Sequence, residues 1–572
     1  MTISHNKRQA GLSASRIALT VAACGAFLGL ASPAFADDAA TTTSKHKKTT
    51  EAAATPAQIV ATQAQIDALN KQIQALQTQL SAMANQQDAN VKAVVASEAA
   101  AEKAAVAATQ IAAQQPKVTD PNDNSIRLGK GVKLTFGGFL EAASIYRSRN
   151  MTSDVATPYA AIPLKNSSNY DRGEFRGTAR QSRVTMLAES DAGDAHLGAY
   201  FESDFLGVGT SSNSGQSNSY TPRLRQAFMT ADWKDAGWHL LAGQSFSLVT
   251  PTKSGMGSRN EILPMGPDAQ YAVGFDWTRN WGVRVVKDWD NKYFLGVALE
   301  SPQASITGST SLVSASYTNT GGSLLNATAN YSTDIAPDLV VKFAADPGYG
   351  HYELFGLARE FQSRVGGENY TETGYGIGAA AVLPVVAKYL DFQANVLAGQ
   401  GVGRYGSSSL PDVAVSPYGH LAPITEVMAM AGLVAHPSSD WDLYAYYGLE
   451  QDDSKAYIVN GKAYGYGNPL SVNTGCYSEN SSLTCTGNTR SVREITAGYW
   501  WKFYHGNMGT MQFGMQAEYL KRDVFQGIGG SPKHRRHRAL HRVPFLPVLS
   551  TAGPVPPGGP GLFHVRPAIM KA

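Results

Sequence analysis

The sequence predicts an all-β fold, a transmembrane antiparallel barrel of about 16 strands, preceded by a signal peptide and an N-terminal α-helical coiled coil. Three observations carry this. From Val132 to Arg522, short runs alternate apolar and polar side chains between Gly and Asp turns. The connections between runs alternate long and short. The first 36 residues have the make-up of an export signal.

Taken in order, Lys7, Arg8 and Arg16 supply positive charge, Ile17 to Leu30 is an apolar centre, and Ala34-Phe35-Ala36 fits a small-x-small cleavage site. The competing reading is a lipoprotein box at Val21-Ala22-Ala23-Cys24, with only a short apolar run ahead of it. Residues 37–58 are Ala/Thr/Lys-rich and lack apolar periodicity, as a flexible lead-in would. In 59–113, Ile66, Leu69, Ile73, Leu76, Leu80 and Met83 follow a 3-4-3-4-3 spacing, the narrow seam of a coiled coil. A lone amphipathic helix is the alternative, and the heptads leave the number of helices open. Pro116 ends the helix, and 114–131 is a linker.

The barrel, 132–530, opens with Leu134-Thr135-Phe136-Gly137-Gly138-Phe139-Leu140-Glu141. Successive side chains of a strand point to opposite faces, so each run has one apolar and one polar face. Long polar segments (148–178, 207–221, 246–269) alternate with short turns at Asp191-Ala192-Gly193-Asp194 and Asp235-Ala236-Gly237. A soluble β-sandwich shares the strand alternation but has no reason to alternate its connections, whereas an up-and-down barrel in an outer membrane does. Most tryptophans lie near turns, where aromatic girdles form. Segment 246–269 holds several apolar residues and is expected to fold into the barrel as a constriction, an ordinary outer loop being the alternative.

A net charge of +3 argues against nucleic acid as a partner. Gly399-Gln400-Gly401-Val402-Gly403 lacks the helix and βαβ unit of a dinucleotide loop, and there is no nucleophile elbow, His-Glu-x-x-His or P-loop. Neither an enzyme nor a cofactor or metal is therefore expected. Cys476 and Cys485, in a polar loop outside the cytoplasm, are expected to form a local disulfide. Arg183, Arg223 and Arg225 have the parity for an inner wall, joined by Arg180, Arg284 and Lys287 as further candidates, with Glu261 or Asp268 on the constriction as opposing charge. Guanidinium forks match carboxylates, which implies a pore favouring small anionic solutes. A structural anchor gripping a periplasmic partner, or a barrel hydrolase, are the other readings.

The chain resembles the trimeric porins of Gram-negative outer membranes, in particular the DcaP-like dicarboxylate branch. The resemblance rests on Leu134-Thr135-Phe136-Gly137-Gly138-Phe139, Ser182-Arg183-Val184, Phe201-Glu202-Ser203-Asp204-Phe205, Pro222-Arg223-Leu224-Arg225-Gln226-Ala227-Phe228 and Gly401-Val402-Gly403-Arg404-Tyr405. It implies a homotrimer in outer-membrane lipid, a periplasmic coiled coil, passive diffusion and a basic constriction.

After Gly530 the alternation stops, and 531–572 reads as an atypical disordered tail opening on the basic His534-Arg535-Arg536-His537-Arg538. A closing strand is expected here, because an unpaired edge in lipid leaves backbone groups unsatisfied. A reading frame shifted by one nucleotide would supply an alternating strand with an aromatic end, so a frameshift is the hypothesis for this tail. The gene's nucleotide sequence decides it. A basic tail binding nucleic acid or lipid is the alternative.

Overall fold

The computed structural model describes residues 125–207, 220–308, 311–316, 334–506, 509–532 and the backbone of 537–542, together with Lys71, Gln74, Gln77, Ser81 and Lys92. The chain divides into two units, Met1–Ala104 and Ala105–Ala572. In the first, the five described positions are helical and exposed. The seam residues Ile66, Leu69, Ile73, Leu76, Leu80 and Met83 lie outside the described residues, as does the expected signal peptide.

The second unit is built on one large antiparallel sheet of sixteen strands. β1 is broken into Lys133–Phe139 and Ala143–Arg147, and β2 into Glu174–Thr178 and Arg183–Ala192. There follow β3 (Ala195–Gly207), β4 (Thr221–Trp233), β5 (Trp238–Phe246), β6 (Arg279–Trp289), β7 (Tyr293–Glu300) and β8 (Asp338–Ala345). The second half comprises β9 (His351–Val365), β10 (Glu368–Val386), β11 (Leu390–Gln400), β12 (Thr425–Ser438), β13 (Trp441–Asp452), β14 (Thr489–Gly506), β15 (Gly509–Val524) and β16 (His537–Arg542). Each strand pairs with the next in sequence, and β16 pairs with both β15 and β1, so the sheet closes on itself.

Two expectations are corrected at this seam. The tail was read as strandless beyond Gly530, yet His537–Arg542 supplies the closing strand, aligned Leu540 to Ala517 on one side and to Tyr146 on the other. The linker 114–131 was read as lying outside the barrel, yet Ser125–Arg127 pairs with Lys133–Thr135 along the other half of β1. The physical reason is the same for both: without these partners β1 would be left with unpaired backbone groups, and such an edge takes up whatever backbone can reach it.

Connections at one end of the barrel are two to five residues long, while those at the other run from 12 to 37. The exception is the β9–β10 hairpin at the long-loop end, turned by Gly366 and Gly367, both at positive φ (59° and 94°). Two glycines tolerate a left-handed pair of residues that other side chains resist.

Facing direction separates membrane barrel from soluble sandwich. Val184, Leu295, Val297, Val341, Ile377 and Ile495 point outward and are 39–63 % exposed. The alternate positions, among them Glu202, Glu300, Lys342, Glu353, Glu450 and Glu494, are buried inside. A sandwich would bury the apolar set. Leaving such side chains in water forgoes about 1.5–3 kcal/mol each, so this surface is stable against hydrocarbon. Trp238, Trp289, Trp441 and Trp501 belt the outside near the short turns, Trp441 stacking on Trp501 at 5.8 Å. Trp277 and Trp500 turn inward instead, donating to Ser407 and to the Met265 carbonyl.

Candidate functional site

The connection between β5 and β6, residues 247–278, folds into the barrel as expected of a constriction. A backbone crossing the lumen has no strand neighbours, so its N–H groups need other acceptors. Inward carboxylates provide them. Glu300 accepts from Leu248 N (2.7 Å), Glu353 from Thr252 N (3.0 Å), Glu494 from Val273 N (2.7 Å) and Glu450 from Gly274 N (2.7 Å). Where the loop touches β13, an added Cβ at Gly448 would lie 1.8 Å from the Val273 carbonyl oxygen, so only glycine admits the contact. Leu248, Val249 and Met256 of the loop pack on Phe294, Val340 and Phe355, an apolar patch on the inner wall. Loop 401–424 joins this packing, with Tyr405 accepting at its carbonyl from Trp277 N (2.8 Å).

The arginines gather on the wall formed by β2–β4. Asp204 accepts from Arg223 (3.0 and 2.7 Å) and from Arg225 (2.9 Å). Glu202 accepts from Arg225, from Tyr200 OH (2.8 Å) and from Gln226 (3.2 Å), and Arg183 lies 3.4 Å away. Arg225 also donates to Tyr271 OH on the loop (3.4 Å), and Tyr271 meets the edge of Trp277, over which Arg279 sits at 5.3 Å. From the loop, Arg259 reaches back over the Tyr200 ring at 5.3 Å. Five guanidiniums thus face three carboxylates, Glu202, Asp204 and Glu141, the last held by Gln181 at 3.0 Å. Arg183 Nε, Arg259 Nε and one terminal nitrogen of Arg279 are buried with no hydrogen-bond acceptor. Burial raises the Tyr271 phenol's pKa, but Arg225, Arg279 and Arg183 prevail and hold it below its ordinary value.

The other candidates fall elsewhere. Arg180 is held near the long-loop mouth by Asp154 (3.0 Å) and the Gly207 carbonyl (3.0 Å). Arg284 does face inward, but under the loop, donating to the Phe246 carbonyl at 2.6 Å. Lys287 is a correction: it points outward between Trp238 and Trp289 and reaches the Ala236 carbonyl at 2.6 Å, snorkelling from the apolar surface. Asp268 is a second correction, since it is 2 % exposed and accepts from Thr157 N (3.2 Å) and Gln270 N (2.7 Å), clamping the loop where a free counter-charge was expected. Glu261 lies on the loop, where burial pushes its carboxyl up and weakens it as a counter-charge. Cys476 and Cys485 are disulfide-bonded, as expected.

Sequence reading missed Arg259, Arg279, Tyr271 and the anchoring acids. The acids had a usable signal, their inward parity. Arg279 had a misleading one, sharing parity with Trp281, which is 56 % exposed on the outside.

No family model and no curated protein matches the chain. Among solved structures, the outer-membrane channel DcaP of Acinetobacter baumannii matches with 17 % identity and a TM-score of 0.52, over 73 % of this chain and 99 % of that one. An anion-selective porin from Comamonas acidovorans matches at 11 % and 0.39, over 72 % and 98 %. Salmonella typhi OmpF in complex with daunomycin matches at 8 % and 0.39, over 73 % and 98 %. The closed sheet, its outward apolar face and the inward loop accordingly give this chain the fold of the DcaP outer-membrane channel.

Proposed function

We propose that the chain is an outer-membrane porin of a Gram-negative bacterium, passing small hydrophilic solutes passively and favouring anions such as dicarboxylates. The observation that carries the reading is the arginine cluster beside the inward loop, in which the Arg183 and Arg223 side chains remain 21 % and 36 % exposed. A carboxylate passing the loop would meet those exposed guanidinium faces in turn, and a fork that binds two oxygens suits a solute carrying carboxylates at both ends. Charges that attract a solute while holding it weakly are what conduction requires. The short-turn end faces the periplasm in this reading, the coiled coil of 59–113 stands there, and the working form is a homotrimer in outer-membrane lipid. It is a channel and not an enzyme. The test is reconstitution in a planar bilayer with reversal potentials in a KCl gradient: anion preference is expected, and cation preference overturns the role given to the arginines.

A further inference from the structure

At the short-turn end, three inward histidines bridge carboxylates of their own barrel wall. His239 lies between Asp232 and Asp288 (2.8 Å each), His436 between Asp442 (2.6 Å) and Asp391 (3.8 Å), and His196 between Asp191 (2.8 Å) and Glu189 (3.6 Å). A fourth, His351, differs in what it touches. Its Nδ1 lies 2.6 Å from Asp346 and its Nε2 lies 3.0 Å from Glu353, and both carboxylates also hold the inward loop. Asp346 accepts from Gly255 N (2.8 Å), Glu353 accepts from Thr252 N (3.0 Å) and Thr252 Oγ1 (2.6 Å), and the same hydroxyl lies 3.1 Å from His351 Nε2.

We propose that His351 is a proton-operated latch that keeps the Thr252–Gly255 part of the inward loop docked on the barrel wall. A neutral imidazole carries one N–H and cannot donate to both carboxylates, whereas the imidazolium can. The charged neighbours make the count decisive. Lys342 of β8 binds Glu353 at 2.8 Å and the Thr250 carbonyl at 2.9 Å, and the next cation, Arg284 of β6, is offset by Glu300 of β7. Imidazolium, Lys342, Asp346 and Glu353 sum to zero. Remove the imidazole proton and one carboxylate is left uncompensated against His351, whose side chain is 3 % exposed. With the proton gone, Nε2 turns from donor to acceptor, so its lone pair repels the Glu353 carboxylate 3.0 Å away and competes with it for the Thr252 hydroxyl, and the two carboxylates relieve the buried charge by turning toward water; the loop then undocks into the remaining lumen and interrupts the current. The latch is closed at acidic pH and opens as pH rises through the imidazole's titration.

The inference rests on the channel reading, and one experiment separates them. The full chain is reconstituted in planar bilayers and recorded at about pH 5.5 and about pH 8.5, values that straddle an imidazole titration. Brief closures should become about tenfold more frequent at the higher pH, the change expected from losing one charge-assisted hydrogen bond. His351→Gln should show frequent closures at both values, and His239→Gln should keep the wild-type pH step. If His351→Gln does not fold, Asp346→Asn decides: with one acid gone, the neutral ring is balanced and the pH step should largely vanish. Folded protein that never conducts overturns the channel reading. Conducting protein whose pH step is absent, or survives in His351→Gln or Asp346→Asn, overturns the latch alone.

Discussion

Replacing Arg183 and Arg223 together with glutamine should shift the channel toward cations without unfolding it. Their side chains are 21 % and 36 % exposed, so water screens their pairs with Glu202 and Asp204 and each contributes only about 0–1 kcal/mol to stability. Arg225 is the wrong probe. It is 4 % exposed between Glu202 and Asp204, and removing it strands two buried carboxylates at a cost of about 3–5 kcal/mol. A unit charge acts on another at 4 Å with about 1 kcal/mol in bulk water and about 4 kcal/mol at an effective dielectric of about 20. A half-wet wall lies between, so each arginine changes local anion partitioning by roughly 5- to 30-fold, most strongly in dilute salt. Reversal potential in a KCl gradient reads this directly. Lys287→Gln serves as the comparison, since Lys287 lies on the outward face and should leave the potential unchanged. An unmoved potential in the double variant, or an equal shift in Lys287→Gln, refutes the assignment of the pore wall.

Gly448→Ala places a methyl group on the Val273 carbonyl and must push the inward loop off β13. Single-channel conductance should change while Gly129→Ala, with open space around it and no left-handed backbone, leaves conductance as in wild type. Reducing Cys476–Cys485, which closes a loop of nine residues, should lower the unfolding temperature in detergent by an amount equivalent to about 2–3 kcal/mol, with Cys476→Ser/Cys485→Ser insensitive to reductant. Asp276, on the inward loop, has its carboxyl pushed well up by burial, with Glu450 adding to the effect. A folded-state value above the unfolded one means that its share of stability is complete below about pH 4 and is lost as pH rises through the folded value. Asp276→Asn should therefore stabilise the barrel at pH 8 relative to wild type and gain little at pH 4, read from thermal unfolding at both values.

Several features were legible because they are local. Alternation within eight residues gives a strand two faces, and a short Asp/Gly turn joins antiparallel neighbours whatever surrounds it. Two cysteines nine residues apart in one polar loop needed no distant information either. The opposite faces of Arg284 and Lys287 were also written in the sequence, since residues three apart in a strand point opposite ways. Reading them together as pore residues overlooked that parity.

By itself the sequence determined which side chains share a face of each ribbon and that the ribbons are joined by alternately short and long connections, with a count of about 16, since these follow from spacing along one chain. Only the tertiary structure decided that Arg259 and Arg279 join the cluster on β2–β4, that Asp268 is a clamp, and that a basic stretch at His537–Arg542 closes the ring. Those outcomes depend on loops without periodicity and on backbone groups that must find partners far along the chain, and that demand is met in space, where sequence distance carries no information.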